Sequence, residues 1–214
     1  MKIELVPMEH PIFANCWLLT DDESTECAIV DPGWCYESTL EAIKATGAKL
    51  KYILLTHGHF DHIMGVCDIK EATGAEAAIH SLDAVCLNDP EISLAAENMP
   101  MPQKCLKADI KLNDGDELFL GKEKIKVIHT PGHTPGGVCY VIENSRAIIS
   151  GDTLFCLTVG RTDFRGGDFG LLSSSLKKLI SLDGDYDIYP GHNRMTTLEN
   201  ERHRNRFIRR MDNQ

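Results

Sequence analysis

The stretch LLTHGHFDHIMG, residues 54–65, places His57, His59, Asp61 and His62 within six positions, directly after a run of aliphatics. Imidazoles and carboxylates at that density make poor core, because each needs a hydrogen-bond or metal partner once it leaves water. The preceding YILLTH is a continuous apolar run of strand length, as expected of a central strand covered on both faces. The cluster therefore sits where a buried strand ends.

The same arrangement recurs further along. KVIHTPGH (126–133), AIISGD (147–152) and YPGH (189–192) are each an aliphatic run ending in a glycine-bearing polar loop. Strand ends along one sheet edge can aim such loops at a common point. The candidate residues are His57, His59, Asp61, His62, His133, Asp152 and His192. A lone loop histidine is usually a surface residue, and a lone Gly-Asp is usually a turn. Four such strand ends together point instead to a metal site.

Composition sets the frame. The 214 residues suffice for one sizeable domain. A formal net charge of -10 disfavours general nucleic-acid binding. No apolar run approaches the ~20 residues of a membrane helix, and the N-terminus shows no signal-peptide core, so a cytoplasmic protein is expected. The eight cysteines, including Cys35, are scattered with no C-x-x-C pair, and read mostly as small buried hydrophobes in a reducing compartment.

Strands are expected at 16–20, 27–31, 116–120, 124–129, 138–142 and 146–150, with the polar turn DDESTE between the first two. Helices are expected after Ser38 and Glu41, which have capping-box spacing, from His62 to about Thr73, and near Ser81 to Leu87. Another is expected through Leu172, Leu176, Leu179 and Ile180, and a last one after the pair Thr196 and Glu199. Residues 88–108 form an irregular excursion, whose Met99 and Met101 can line the mouth of a cleft or pack on a surface loop.

The chain resembles the metallo-β-lactamase superfamily. His57-Gly58-His59-Phe60-Asp61-His62 matches its H-x-H-x-D-H hallmark. TPGHTPG (130–136), GDTLF (151–155), PGH (190–192) and the early Asp31-Pro32-Gly33 match its other motifs in order. The resemblance implies an α+β fold, the four-layer αβ/βα sandwich, as a single domain over residues 1–214. It also implies that His57, His59 and His133 bind a first metal, that Asp61, His62 and His192 bind a second, and that Asp152 bridges them. His129 begins the same tetrapeptide as His133, but the pattern favours His133.

An all-nitrogen-and-oxygen ligand set suits two Zn²⁺ ions, with Fe²⁺ or Mn²⁺ also accepted. Such a pair lowers the pKa of a shared water and supplies hydroxide at neutral pH. Its surplus positive charge stabilises an anionic tetrahedral centre, and Asp61 can hold or shuttle the proton.

GDTLFCLTVGRTDFRGGD (151–168) resembles, more narrowly, the small glyoxalase II-like hydrolases, which cleave the thioester of hydroxyacylglutathione. That implies a small-molecule thioester substrate, derived from glutathione or coenzyme A. The chain departs from full-length glyoxalase II in two ways. A short C-terminal helix stands in place of the helical domain, and the loop after GDTLF lacks the Lys and Tyr that hold glutathione. Arg161 and the C-terminal Arg202 and Arg206 are candidate substrate contacts. Arg202, Arg206 and Arg209 share a face if one helix continues through them. The competing reading is a mononuclear-iron persulfide (sulfur) dioxygenase of the same fold, using His57, His133 and Asp152. The retained second-site ligands favour the hydrolase.

Overall fold

The computed structural model describes residues 1–7, 13–21, 25–34 and 36–211; residues 22–24, where a polar turn is expected, and Cys35 lie outside them. The first half of the chain builds one six-stranded sheet. It holds β1 (Lys2–Val6), β2 (Cys16–Thr20), β3 (Glu26–Val30), β4 (Lys49–Leu54), β5 (Glu76–His80) and β6 (Ile110–Leu112), in that spatial order. The first two pairings are antiparallel and the next three parallel. The connections carry α1 (Tyr36–Thr46), α2 (Phe60–Ile63), α3 (Val66–Thr73) and α4 (Ala95–Asn98).

The second half repeats the plan with an antiparallel core. β7 (Glu117–Leu120), β8 (Glu123–His129), β9 (Val138–Ile142) and β10 (Ala147–Gly151) form a meander. A small hairpin follows, β11 (Leu154–Phe155) with β12 (Thr158–Val159), then α5 (Phe169–Ile180). β13 (Asp187–Pro190) joins β10 in parallel, β14 (Thr196–Thr197) closes the edge, and α6 (Leu198–Arg204) and α7 (Arg206–Met211) end the chain.

Side-chain alternation turns these two sheets into four layers. Cys27 and Ile29 of β3 face α1 and α3, whereas Ala28 and Val30 face the other sheet. Val138, Tyr140 and Ile142 of β9 meet them there, and Cys139 and Val141 turn out toward α5. In β4 the alternation slips. Leu50 and Ile53, three apart, share the helix side because a bulge opposite Cys27/Ala28 takes up Lys51. In α5, Leu172, Leu176 and Leu179 are fully buried, and the Asp168 carboxylate accepts the Leu171 N–H at 2.9 Å as N-cap. These are the layers of the expected αβ/βα sandwich.

Several local expectations shift. The segment from His62 to Thr73 is two helices, parted at Met64–Gly65, and residues 84–87 form a short 3₁₀ turn. The last helix is capped by Thr197, which accepts the Asn200 N–H, rather than by Thr196. It breaks at Asn205, whose backbone is extended, so Arg202 and Arg206 stand on different helices. Among the described residues Cys16, Cys27, Cys86 and Cys139 are buried, and Cys105 is exposed.

Where the two sheets approach, the ends of β5 and β8 meet through a stacked pair. The His80 and His129 rings lie 4.1 Å apart at 10°. His80 is buried, and burial, then His129, lowers its pKa to about 4. An unfolded histidine titrates near 6.5, so the unfolded chain binds more protons across this window. Stability from this site is therefore full above about pH 6.5 and lost as pH falls toward about 4. Urea denaturation of metal-free protein between pH 7 and 4.5 should show the midpoint falling more steeply in the wild type than in His80→Gln. Parallel profiles would contradict this assignment.

Candidate metal centre

Five loops converge at one end of the sandwich, each leaving the C-terminal end of a strand. The loop after β3 supplies Asp31, and that after β4 supplies His57, His59 and, through α2, Asp61 and His62. Those after β8, β10 and β13 supply His133, Asp152 and His192. The halves are tied together beneath the site. Val138 N–H donates to the Thr56 carbonyl at 2.8 Å, and Tyr140 Oη to the Leu55 carbonyl at 2.7 Å. Asn15 N–H reaches the Gly191 carbonyl at 2.6 Å.

All seven sequence candidates come together. His57 Nε2 lies 3.1 Å from His59 Nδ1, which lies 2.9 Å from His133 Nε2. The outer nitrogens fix which lone pairs point inward. Thr56 Oγ1 donates to Asp31 Oδ2 at 2.6 Å, so it accepts from His57 Nδ1 at 3.2 Å. His133 Nδ1 donates to the Arg161 carbonyl at 2.7 Å. Nε2 of each ring is thereby left without a proton, facing the centre. His129, by contrast, stacks on His80 with Nε2 against the Pro135 carbonyl, and belongs to the strand end.

A second group lies alongside. His192 Nε2 is 3.0 Å and His62 Nε2 3.6 Å from Asp61 Oδ2. Asp152 Oδ2 stands 3.5 Å from His133 Nε2 and 3.7 Å from His192 Nε2, between the two groups. His62 Nδ1 is 2.9 Å from Asp31 Oδ2, an ion-pair distance without hydrogen-bond alignment.

Electrostatics follow from this crowding. Burial, reinforced by the neighbouring imidazoles, holds His57 well below the usual histidine range. Burial and His133 bring His59 down to about 3, so both rings are neutral, as metal ligation requires. Burial also opposes charge on His62, but Asp61, Asp31 and Asp152 surround it and hold it well above that range. For Asp152, burial is outweighed by His62, His192 and His133, and its carboxyl stays ionised far below the usual range.

A cation fits this arrangement. His62 Nε2 and Asp152 Oδ1 are buried without a hydrogen-bond partner, a costly state that coordination relieves. Three sets offer ligand atoms all within 4.8 Å of one another: His57, His59 and His133; His57, His62 and Asp152; Asp61, His62 and His192. The donors are imidazole and carboxylate only.

Sequence reading passed over Asp83. Its buried carboxylate accepts Gly58 N–H at 3.0 Å and Thr134 Oγ1–H at 2.7 Å on Oδ2, and Gly136 N–H at 2.6 Å on Oδ1. It thus staples the His57–His59 loop to the His133 loop. The available signal was the glycines. A Cβ at Gly58 would sit 2.4 Å from Cys86 Cβ, and one at Gly136 would sit 2.6 Å from Asp83 Oδ1. Both positions are stripped of side chain so that this loop can enter.

The centre opens into a cleft of about 540 Å³ walled by Phe60, Leu94, Phe155, Val159 and Phe164, with Asn98 and Asn193 at polar positions. Arg161 lines it, but its guanidinium lies over Phe164 at 3.9 Å and forms two 2.7 Å bonds to Asp163. Arg202 is elsewhere. It donates to the carbonyls of Ile180, Leu182 and Gly184, capping the C-terminus of α5. Arg206 stacks on Phe207, also outside the cleft lining. Met99 and Met101 line a separate hollow with Pro100 and Pro102.

Comparison with known proteins agrees with this geometry. Residues 11–192 match the metallo-beta-lactamase superfamily. The hydroxyacylglutathione hydrolase GloC of Haemophilus influenzae is 33% identical over 210 residues, covering 97% of this chain and 98% of its own. The B3 metallo-beta-lactamase BLEG-1 superposes with a TM-score of 0.90 at 33% identity, over 97% of this chain and 99% of its own. TTHA1623, solved in a di-iron-bound form, gives 0.83 at 34% identity, over 92% and 96%.

Asp83→Ala leaves two buried N–H groups without acceptors, costing about 1–3 kcal/mol each. It should also weaken metal binding about 10–100-fold, the usual effect of losing a residue that orients ligands. Competition with a chromophoric chelator measures this, and wild-type affinity in Asp83→Ala would refute the staple.

Proposed function

The chain belongs to the metallo-β-lactamase superfamily of metallo-hydrolases, and from that premise we propose that it is a dinuclear hydrolase of small-molecule thioesters. The observation that carries two metals rather than one is the second donor set. Asp61, His62 and His192 are all present, and His62 Nε2 and Asp152 Oδ1 are buried without a hydrogen-bond partner. His57, His59 and His133 would hold one ion and Asp61, His62 and His192 the other, with Asp152 between. Zinc suits these donors first; iron is also acceptable, as the di-iron form of a 34% identical relative illustrates. When bound, the ions supply Lewis acidity and a nucleophile at neutral pH.

The chain's own residues supply the rest. Asp61 is ionised despite burial, because His62 and His192 favour its charge, and its Oδ2 is placed to take a proton during attack. Phe60, Leu94, Phe155 and Phe164 exclude water from the reacting carbonyl, which strengthens every electrostatic contact there. A thiolate leaves without strong general-acid help, which is why thioesters suit a site whose other polar lining is Asn98, Thr158, Asn193 and the Asp163-paired Arg161. The glyoxalase II-like motif at 151–168 and the GloC relative support a glutathione-type thioester.

We read residues 1–214 as one catalytic domain. No helix among the described residues is long and apolar enough to cross a membrane. The free thiols of Cys27, Cys67, Cys86, Cys105, Cys139 and Cys156 fit a reducing, cytoplasmic setting.

Steady-state cleavage of S-lactoylglutathione by protein of known metal content tests the reading. About two metals per chain with robust turnover is the expected result; two metals without turnover would reject this thioester. One iron per chain with oxygen consumption on glutathione persulfide would establish the dioxygenase instead. Asp61→Asn should lower kcat about 10²–10⁴-fold while the His57, His59 and His133 group still binds metal. Full turnover in that variant would remove Asp61 from proton transfer.

A further inference from the structure

We infer that Arg194 binds the anionic tail of the substrate's thiol portion, in an annex that continues the cleft. The identity of the substrate as a thioester rests on the reading above; the anion site itself rests on the following geometry.

The cleft does not end at Asn193. A second hollow of about 440 Å³ shares Thr158 and Asn193 with it and is completed by Cys156, Leu157 and Arg194. Thr158 and Asn193 border both hollows, so a molecule reacting at the metal centre would reach Arg194 by passing over these two residues. Arg194 lies at the far side, two residues beyond His192.

Its charge is uncompensated. Arg194 is exposed, and its one hydrogen bond among the described residues runs from Nε to the half-buried Cys156 Sγ at 3.4 Å. No carboxylate of the described residues pairs with it. The other cation at the cleft, Arg161, is neutralised by the two-point contact with Asp163. In a chain of net charge -10, a free guanidinium beside the cleft opposes the general field. The Nε bond orients the guanidinium plane and leaves four Nη–H donors, a fork that matches a carboxylate or phosphate.

The annex is also built rigidly. Leu157 is held at φ 62°, and its N–H donates to Glu201 Oε2 at 2.8 Å. Glu201 is fully buried and further accepts from Thr196 Oγ1 and Asn205 Nδ2 at 2.7 and 2.8 Å. On the other side Asn193, at φ 67°, has its carbonyl fixed by Asn15 Nδ2 at 2.8 Å. Arg194 thus directly follows a residue with an anchored carbonyl, Asn193, and shares the annex with the anchored turn at Leu157. A preorganised cation loses little entropy on capturing an anion.

A carboxylate of glutathione and a phosphate of coenzyme A present the same chemistry, so the test separates them. The lactoyl thioesters of glutathione, coenzyme A and the uncharged thiol N-acetylcysteamine are compared on metal-loaded wild type, Arg194→Ala and Arg194→Lys. The expected result is that Arg194→Ala lowers the preference for one anionic thioester over the neutral one by about tenfold in kcat/KM, carried by KM. Arg194→Lys should recover part of it, and salt should shrink the wild-type preference. The anionic thioester that loses its preference identifies the tail. An unchanged ratio in Arg194→Ala overturns the proposal. Should the wild type cleave none of the three, the thioesterase reading fails, and calorimetric titration with glutathione and coenzyme A decides the anion site alone. Affinity about tenfold weaker in Arg194→Ala upholds it; equal affinity, or no binding to the wild type, overturns it.

Discussion

Two sheets built from opposite halves of the chain have to meet in register at one end, and the buried hydrogen bond from Val138 N–H to the Thr56 carbonyl is where they do. Thr56 immediately precedes the first ligand histidine, and its hydroxyl links Asp31 to His57. One residue therefore joins the backbone of the second sheet to the ligand network of the first. Gly151 packs onto the same threonine so closely that a Cβ would lie 2.4 Å from its Oγ1, which brings Asp152 within reach. A register slip in either sheet would separate donors that now lie about 3 Å apart, so packing of the aliphatic strands sets the geometry of the polar site.

The site is costly as protein alone. His57 and His133 each present an unprotonated Nε2 to a common point, and ionised Asp152 is buried beside them. Burying such groups unpaired costs several kcal/mol, and a folded chain tolerates it only where binding repays the cost. Asp83 adds to the burden, since burial works against its charge and three hydrogen bonds oppose that rise. Stapling two loops with a buried carboxylate is a poor way to gain stability. It is a good way to hold two ligand loops at a fixed spacing.

How much of this was legible in the sequence follows from which signals are local. The convergence of the seven candidate residues was, because dense histidines and strand-end glycines are unusual in any other setting. Buried strands were legible from YILLTH and GVCYVI, and the four layers only through the family resemblance. β5 was not, because EAAIH is alanine-rich and lacks the β-branched character of a strand; its place comes from burial between β4 and β6. Asp83 is one acidic residue among 32, and its role exists only once two distant loops are adjacent. The arginines misled by clustering. Five near the C-terminus drew attention from Arg194, yet Arg202 is spent on the carbonyls that end α5.

Residues 88–108 divide by the same logic. The segment has the length of a lid, but it is bonded to the centre it borders. Phe60 N–H, within the metal-ligand motif, donates to the carbonyl of fully buried Ser93 at 2.9 Å. Gln103 donates to the Cys86 carbonyl at 2.7 Å and accepts from Ser93 Oγ. Leu94 then takes a left-handed backbone, φ 66°, a strained choice for leucine that aims the next turn at the cleft. Opening this segment would break the Phe60 contact and shift Asp61 beside it. The excursion is therefore tied to the metal-centre loop through Ser93, and across the cleft Asn193 borders the hollow that holds Arg194.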